Sequence, residues 1–351
     1  MKKSSIGGQA VLEGVMMKAP NRMAIAVRRS DGVVQIKSEE VTSIKERYPL
    51  LNWPIIRGIV SFGETMVLGV RSLMDSAELY GEAEAEEEYK PSKLETWVSE
   101  KTGKDIEDVM IASALVIAIG FAILLFVVMP AFLTSLLRRW IDSGIVMSLI
   151  EGLIRLTTFL LYIVAISQMR DIKRVFQYHG AEHKTIHCYE HEEELTIENA
   201  RKYTTLHPRC GTAFLLIVMV ISIVAFSLLS WNNILIRILA KILLLPIVAG
   251  ISYEIIKWAG ASDSKWMGII MYPGLMLQKL TTKEPDDEQL QVAIYSFKAA
   301  MEELEEQEGV VFVESSRNTE DGARDADKLR HTDVSAGSGD AAGSSVELRE
   351  G

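Results

Sequence analysis

Val109–Leu137 reads VMIASALVIAIGFAILLFVVMPAFLTSLL and carries no charged residue. A helix needs about 20 apolar residues to cross the hydrocarbon core of a bilayer, so this run can span it with length left for tilt. The bland alternative is a buried core helix. Further apolar runs at 145–167, 213–231 and 234–253 speak against it. The overall composition, 48% hydrophobic and 24% charged, is ordinary only because the two classes are segregated along the chain. The pattern is that of an integral membrane protein, neither soluble nor secreted.

Short links join the first run to the second and the third to the fourth, which predicts two helical hairpins, 109–167 and 213–258. Between them lies a polar loop, 168–212, with Arg170, Lys173, Arg174, Lys184, Arg201, Lys202 and Arg209. Basic residues in short loops stay cytoplasmic, and here they outweigh Arg138 and Arg139 on the first turn. The expectation is a multi-pass protein of the cell membrane with both termini cytoplasmic. Glu151 and Arg155 lie four residues apart inside the second run, where charges are costly. They predict either a mutually satisfied pair or a transport pathway.

Residues 1–108 form a mostly polar N-terminal region. Two lysines open it but no apolar core follows, so no signal peptide is expected and the first span serves as an internal signal anchor. Ser30-Asp31-Gly32 separates two β-prone runs, a hairpin signature. Residues 55–74 predict a helix with Arg57, Glu64 and Arg71 on one face, lying shallow in the membrane interface or packed on the spans. The acidic 82–88 stretch reads as a solvated linker. Region 259–314 combines a short apolar segment, 266–280, interfacial or re-entrant, with an amphipathic helix at 286–308 capped by Asp286. Residues 315–351 read as a disordered acidic tail. The formal charge of −10 comes largely from the linker and the tail, so no nucleic-acid partner is expected. The fold class is thus an α-helical polytopic membrane protein of about four transmembrane helices, with a small N-terminal β-hairpin and a C-terminal amphipathic helix.

The chemistry concentrates in the loop. Of six histidines, all but His331 fall between His179 and His207, and both cysteines, Cys188 and Cys210, lie in the same region. Two cysteines are too few for a disulfide framework and fit reduced cytosolic thiols. On a helix of about 100° per residue, Glu182, His179, Glu190, His183 and His187 share roughly 140° of one face. Histidines at i and i+4 offer two imidazoles to one metal. His179-x-x-Glu182-His183 also has the residue order of the inverzincin peptidases, in which the glutamate is the general base. His187, Glu190, His207, Cys210 and Glu254 are the candidate further ligands. The competing reading is a polar loop whose histidines merely cap and hydrogen-bond it. A straight continuation of the second span would carry His179 about 18 Å past the bilayer at 1.5 Å per residue, so the chain must bend back. The Gly7–Met17 segment is apolar and glycine-rich, either packed locally or folded over the site.

Several blocks carry a resemblance. Gly7-Gly8-Gln9-Ala10-Val11 with Glu13-Gly14-Val15-Met16-Met17, Tyr178-His179-Gly180-Ala181-Glu182-His183-Lys184, and His207-Pro208-Arg209-Cys210-Gly211-Thr212 are similar to the YqhQ family. So are Leu245-Pro246 with Ala249-Gly250-Ile251-Ser252-Tyr253-Glu254, and Leu280-Thr281-Thr282 with Glu284-Pro285. The similarity covers about residues 4–304. That family comprises bacterial membrane proteins of unknown function, often labelled as predicted metal-dependent enzymes. The resemblance implies class, compartment and metal chemistry, but no substrate and no catalytic residues.

The leading expectation is a metal-dependent hydrolase at the cytoplasmic membrane surface. His179 and His183 would hold a divalent transition metal, zinc foremost, and Glu182 would act as general base on a peptide or lipid-linked substrate. The alternative is a non-enzymatic protein that binds or regulates a membrane protein complex, its loop braced by a structural metal or by hydrogen bonds. A transporter ranks third. The lipid bilayer is a partner in every case.

Overall fold

The computed structural model describes residues 6–81, 92–103, 106–137, 139–141, 143–208, 210–227, 234–261, 265–304 and 309–313. The chain divides into Met1–Phe312 and Val313–Gly351, and of the second unit only Val313 is described. The linker expected at 82–88 and the tail expected at 315–351 therefore lie outside the described residues.

Five strands form one sheet in the order β1 (Gly7–Val11), β2 (Gly14–Lys18), β3 (Arg22–Arg28), β4 (Val34–Glu40) and β5 (Val310–Val313). The first four are consecutive antiparallel hairpins. The β3–β4 turn falls where Asp31-Gly32 predicts it: Gly32 takes φ 87° and the Asp31 carboxylate accepts from the Val33 amide at 3.0 Å. The β1–β2 hairpin carries no such signal. Its turn, Leu12-Glu13, has Glu13 at φ 46°, and that residue is held by Arg174 and by the Tyr178 hydroxyl from the far side of the chain. The Gly7–Met17 segment is thus a paired β element rather than a loop.

The sheet is covered on both faces. Val15, Met17, Ala24, Ala26, Val34 and Ile36 alternate onto one face and pack against α7 (Arg170–Glu190) and α12 (Asp287–Ala300), through Tyr178, Ala181, Leu290 and Phe297. The opposite face meets α2 (Ile56–Tyr80), where Lys37 reaches the fully buried Asp75 at 3.0 Å and Arg71 pairs with Glu39. All three charges expected on this helix face protein: Arg57 pairs with Glu254, and Glu64 accepts from Ser43 just before the short α1 (Ile44–Arg47). Several of its apolar side chains, Met66, Val67 and Leu73 among them, are exposed, while Leu79 is buried.

After α3 (Lys93–Thr102), α4 (Ile106–Ile123) passes through one π-turn, Leu124–Val128, into α5 (Met129–Leu137). Pro130 explains the irregularity, since it has no N–H for the carbonyl of Phe126. Arg155 of α6 (Gly144–Ile166) supplies the missing donor, its Nε giving a 2.8 Å hydrogen bond to Phe126 O while its other nitrogen pairs with Glu151 at 3.1 Å. Its guanidinium also lies over the ring of Phe226, 5.4 Å from the centroid. The paired reading of these two charges is the one their contacts satisfy.

Val109–Leu137 and Gly144–Ile166 are long and apolar enough to cross a membrane. Neither is a core helix: Val116, Ile117 and Leu161 are 69%, 70% and 64% exposed. Of the third and fourth predicted runs, α9 (Gly211–Ser227) is apolar but shorter, and α10 (Ile234–Ala261) contains Pro246. Residues 228–233 lie outside the described residues. The short segment at 266–280 is a helix, α11 (Lys265–Thr281).

The predicted C-terminal amphipathic helix exists, with a full capping box between Asp286 and Gln289, but it ends at Ala300 rather than continuing to 308. Leu290, Ala293, Ile294 and Phe297 of α12 are buried inside the protein, so this face is occupied by the sheet and α7 and is not offered to a partner.

Candidate metal centre

Helix α7 begins after an abrupt break. Helix α6 stops at Ile166, Met169 takes an extended conformation at ψ 137°, and α7 restarts at Arg170. The two helices are therefore separate and α7 is not a straight continuation of α6. Along α7, Gly180 to Cys188 and Glu190 are buried, and the expected histidine–glutamate face points into the protein.

The imidazoles are oriented by backbone carbonyls. His179 Nδ1 lies 2.8 Å from Thr281 O, and His183 Nδ1 lies 2.5 Å from Thr205 O. A carbonyl only accepts, so each Nδ1 carries the proton and each Nε2 keeps its lone pair. His179 Nε2 is 3.2 Å from Cys210 Sγ, and His183 Nε2 has no hydrogen-bond partner among the described residues. The ligand atoms of His179, His183 and Cys210 all lie within 4.8 Å of one another. Burial raises the Cys210 thiol pKa, but the nearby His183 ring and the Thr212 hydroxyl and amide outweigh it and hold the thiol below its usual range.

Glu182 stands beside this group. Burial pushes its carboxyl up to about 8, an effect His179 tempers, Cys210 reinforces and the Gly8 N–H, donating to it, opposes. Its Oε2 has no hydrogen-bond partner among the described residues. Strand β1 approaches so closely that a Cβ on Gly8 would stand 2.8 Å from Glu182 Cδ, and a Cβ on Gly180 would stand 2.0 Å from Lys283 O. Glycine is what lets the N-terminal strand and the 281–283 segment close on α7.

Further along α7, His187, Glu190 and His207 form another group, with ligand atoms within 4.8 Å and all three side chains buried. His187 Nε2 donates to Leu206 O at 2.9 Å, and His207 Nε2 lies 3.5 Å from Glu190 Oε2. Burial lowers the His207 pKa to about 4, so the ring is neutral at pH 7. Gln278 of α11 grips the His207 backbone twice, accepting from its N–H at 2.8 Å and donating to its carbonyl at 2.7 Å. The rings run in series, with centroids 4.4 Å apart for His179–His183, 5.6 Å for His183–His207 and 4.7 Å for His187–His207.

Six of the seven residues expected as ligands thus sort into two groups, with Glu182 beside the first. Glu254 joins neither, because its carboxylate is held by Arg57 at 2.5 Å and accepts from Ile55 N at 3.4 Å. His191 bonds back to His187 O, and Cys188 is a buried thiol pushed up to about 11 by desolvation. Sequence reasoning missed the orienting groups: the carbonyls of Thr205, Leu206 and Thr281 have no residue signature, and Gln278 is a lone amide in a largely apolar helix.

A family model described as "Protein of unknown function (DUF1385)" matches residues 53–303. The chain is 36% identical over 302 residues to "Uncharacterized protein YqhQ" of Bacillus subtilis (strain 168), covering 83% of this chain and 90% of that one. No solved structure matches it. With most of both chains aligned and the family model spanning α2 to α12, the protein belongs to the YqhQ family, a family of unknown function.

Proposed function

We propose that the protein is a metal-dependent hydrolase of the cell membrane whose centre is His179, His183 and Cys210, with Glu182 as general base. The observation that carries this reading is the convergence of two carbonyl-oriented imidazoles on one thiol, beside a buried carboxyl oxygen that has no hydrogen-bond partner among the described residues. Two nitrogens and a sulfur suit zinc, and three protein ligands leave the fourth position of a tetrahedral site for water or substrate. Bound there, the ion would acidify a water and polarise a carbonyl or phosphoryl oxygen. The nearby cation would also favour the carboxylate of Glu182, which burial otherwise keeps protonated to about pH 8. Glu182 Oε2 then takes the proton and returns it to the leaving group. His179 and Cys210 are partly exposed, which gives a substrate its approach from their side.

The same reading makes α4–α5, α6, α9 and α10 four spans in two hairpins, with both termini and the α7 layer cytoplasmic. The outward apolar surfaces of the first two helices and the basic residues around α7 support it. A substrate at that surface would be a peptide or a lipid-linked molecule.

Metal content of the detergent-purified protein tests the centre. His179→Ala/His183→Ala should remove one equivalent of zinc per chain. Glu182→Gln should keep the metal while turnover in a screen of peptide and lipid-linked esters drops about 10²–10⁴-fold, the usual contribution of a general base. Metal content unchanged by the double substitution would sink the assignment. The buried second group favours another reading, a non-enzymatic protein whose loop a metal braces for a membrane protein complex. That reading gains if Glu182→Gln changes nothing.

A further inference from the structure

We propose that His187, Glu190 and His207 form a second, separate transition-metal site, of zinc class, that staples the 204–210 loop onto α7. Two imidazoles and a carboxylate are a common zinc donor set, and Glu190 can close a fourth position by offering both its oxygens. The three donors are already gathered, with ligand atoms within 4.8 Å and side-chain burial of the kind a structural site has. The Glu190 carboxylate, 2% exposed, lies 3.5 Å from His207 Nε2 and within 4.8 Å of the His187 ligand atom. The Leu206 carbonyl fixes His187 with its proton on Nε2, which leaves Nδ1 as the ligating nitrogen.

The site is distinct from the proposed catalytic centre and does not depend on it. The two groups adjoin but share no residue: their nearest rings, His183 and His207, have centroids 5.6 Å apart, and the donor atoms gather within 4.8 Å inside each group. The accessibility also differs. The first group has a partly exposed member, His179, while the second is buried throughout. The division suits an exposed working site and a sealed structural one. His207 and Cys210 are three residues apart in the same loop, so an ion at the second site would fix the position from which the first takes its thiol.

The test counts metal on the full-length protein in detergent, reconstituted with zinc or cobalt(II) alone. Two equivalents per chain are expected, falling to one in Glu190→Gln, in His207→Ala and in Cys210→Ser. With cobalt(II), the near-ultraviolet thiolate charge-transfer band belongs to the first site only. It should persist in Glu190→Gln and vanish in Cys210→Ser while one ion stays bound. Glu190→Gln is nearly isosteric, and persistence of the thiolate band in it reports that the fold is intact. A single equivalent, lost with Cys210→Ser and untouched by Glu190→Gln and His207→Ala, overturns the second site and leaves the hydrolase centre standing. A single equivalent with the opposite pattern supports the second site and removes the first. No bound metal overturns both.

Discussion

At the scale of single residues, the tightest fit among the described glycines is at Gly180, where any side chain would meet the Lys283 carbonyl at 2.0 Å. The obstacle is backbone, and it is anchored, since Lys283 N donates to Phe176 O at 2.8 Å. Gly180→Ala should therefore destabilise the protein by about 1–3 kcal/mol, the usual cost of forcing a methyl into a packed site. Gly8→Ala meets the Glu182 side chain and the Met16 carbonyl, each at 2.8 Å, and should also disturb the carboxyl of Glu182. Thermal unfolding of the two variants beside the wild type checks the first expectation; a Gly180→Ala protein as stable as wild type would refute it. At this scale the sequence was informative about residue type and blind to pairing. Helical spacing put His179, Glu182, His183, His187 and Glu190 on one face. The division into two groups depends on His207 and Cys210, whose approach is set by carbonyl contacts and by Gln278, and no local pattern encodes those.

Among elements, the legible ones had a strong period or a strong stop. Val109–Leu137, the Asp31-Gly32 hairpin and the Asp286-capped helix all belong to that class. The β1–β2 hairpin does not, because its turn is held by Arg174 and Tyr178 and not by turn-forming residues. The irregular turn before Pro130 supplies a prediction at this scale. Arg155 satisfies the Phe126 carbonyl and the Glu151 carboxylate together, both within a low-dielectric surrounding. Arg155→Leu leaves a buried charge and a bare carbonyl, and should cost about 3–5 kcal/mol. Glu151→Leu/Arg155→Leu removes both charges and should recover a large part of that loss. Thermal unfolding in one detergent, compared across the set, measures it; an equal loss in the double variant would mean that the pair is not the source.

For the molecule as a whole, two parts with opposite chemistry alternate along the chain. One is the sheet with α7 and α12, which buries its apolar residues; the other holds helices that turn theirs outward. We expect the protein to stay in the membrane pellet through alkaline carbonate washing and to be released by detergent alone. Recovery in the carbonate supernatant would contradict the spanning assignment. The layering was visible in the segregation of charge. That the N-terminal strands and the C-terminal helix build one domain was not, since Ser296 reaches the Ala24 carbonyl across 272 residues. The grip of Gln278 on His207 also sets a timetable for biogenesis. The loop bearing His207 and Cys210 leaves the ribosome well before α11, with α9 and α10 made in between. Until that late helix arrives and folds back, His207 lacks both Gln278 contacts and His179 lacks the Thr281 carbonyl that orients it. A ribosome stalled before Gln278 would therefore display His179, His183, His187 and His207 without the α11 contacts that hold the 207 backbone against them.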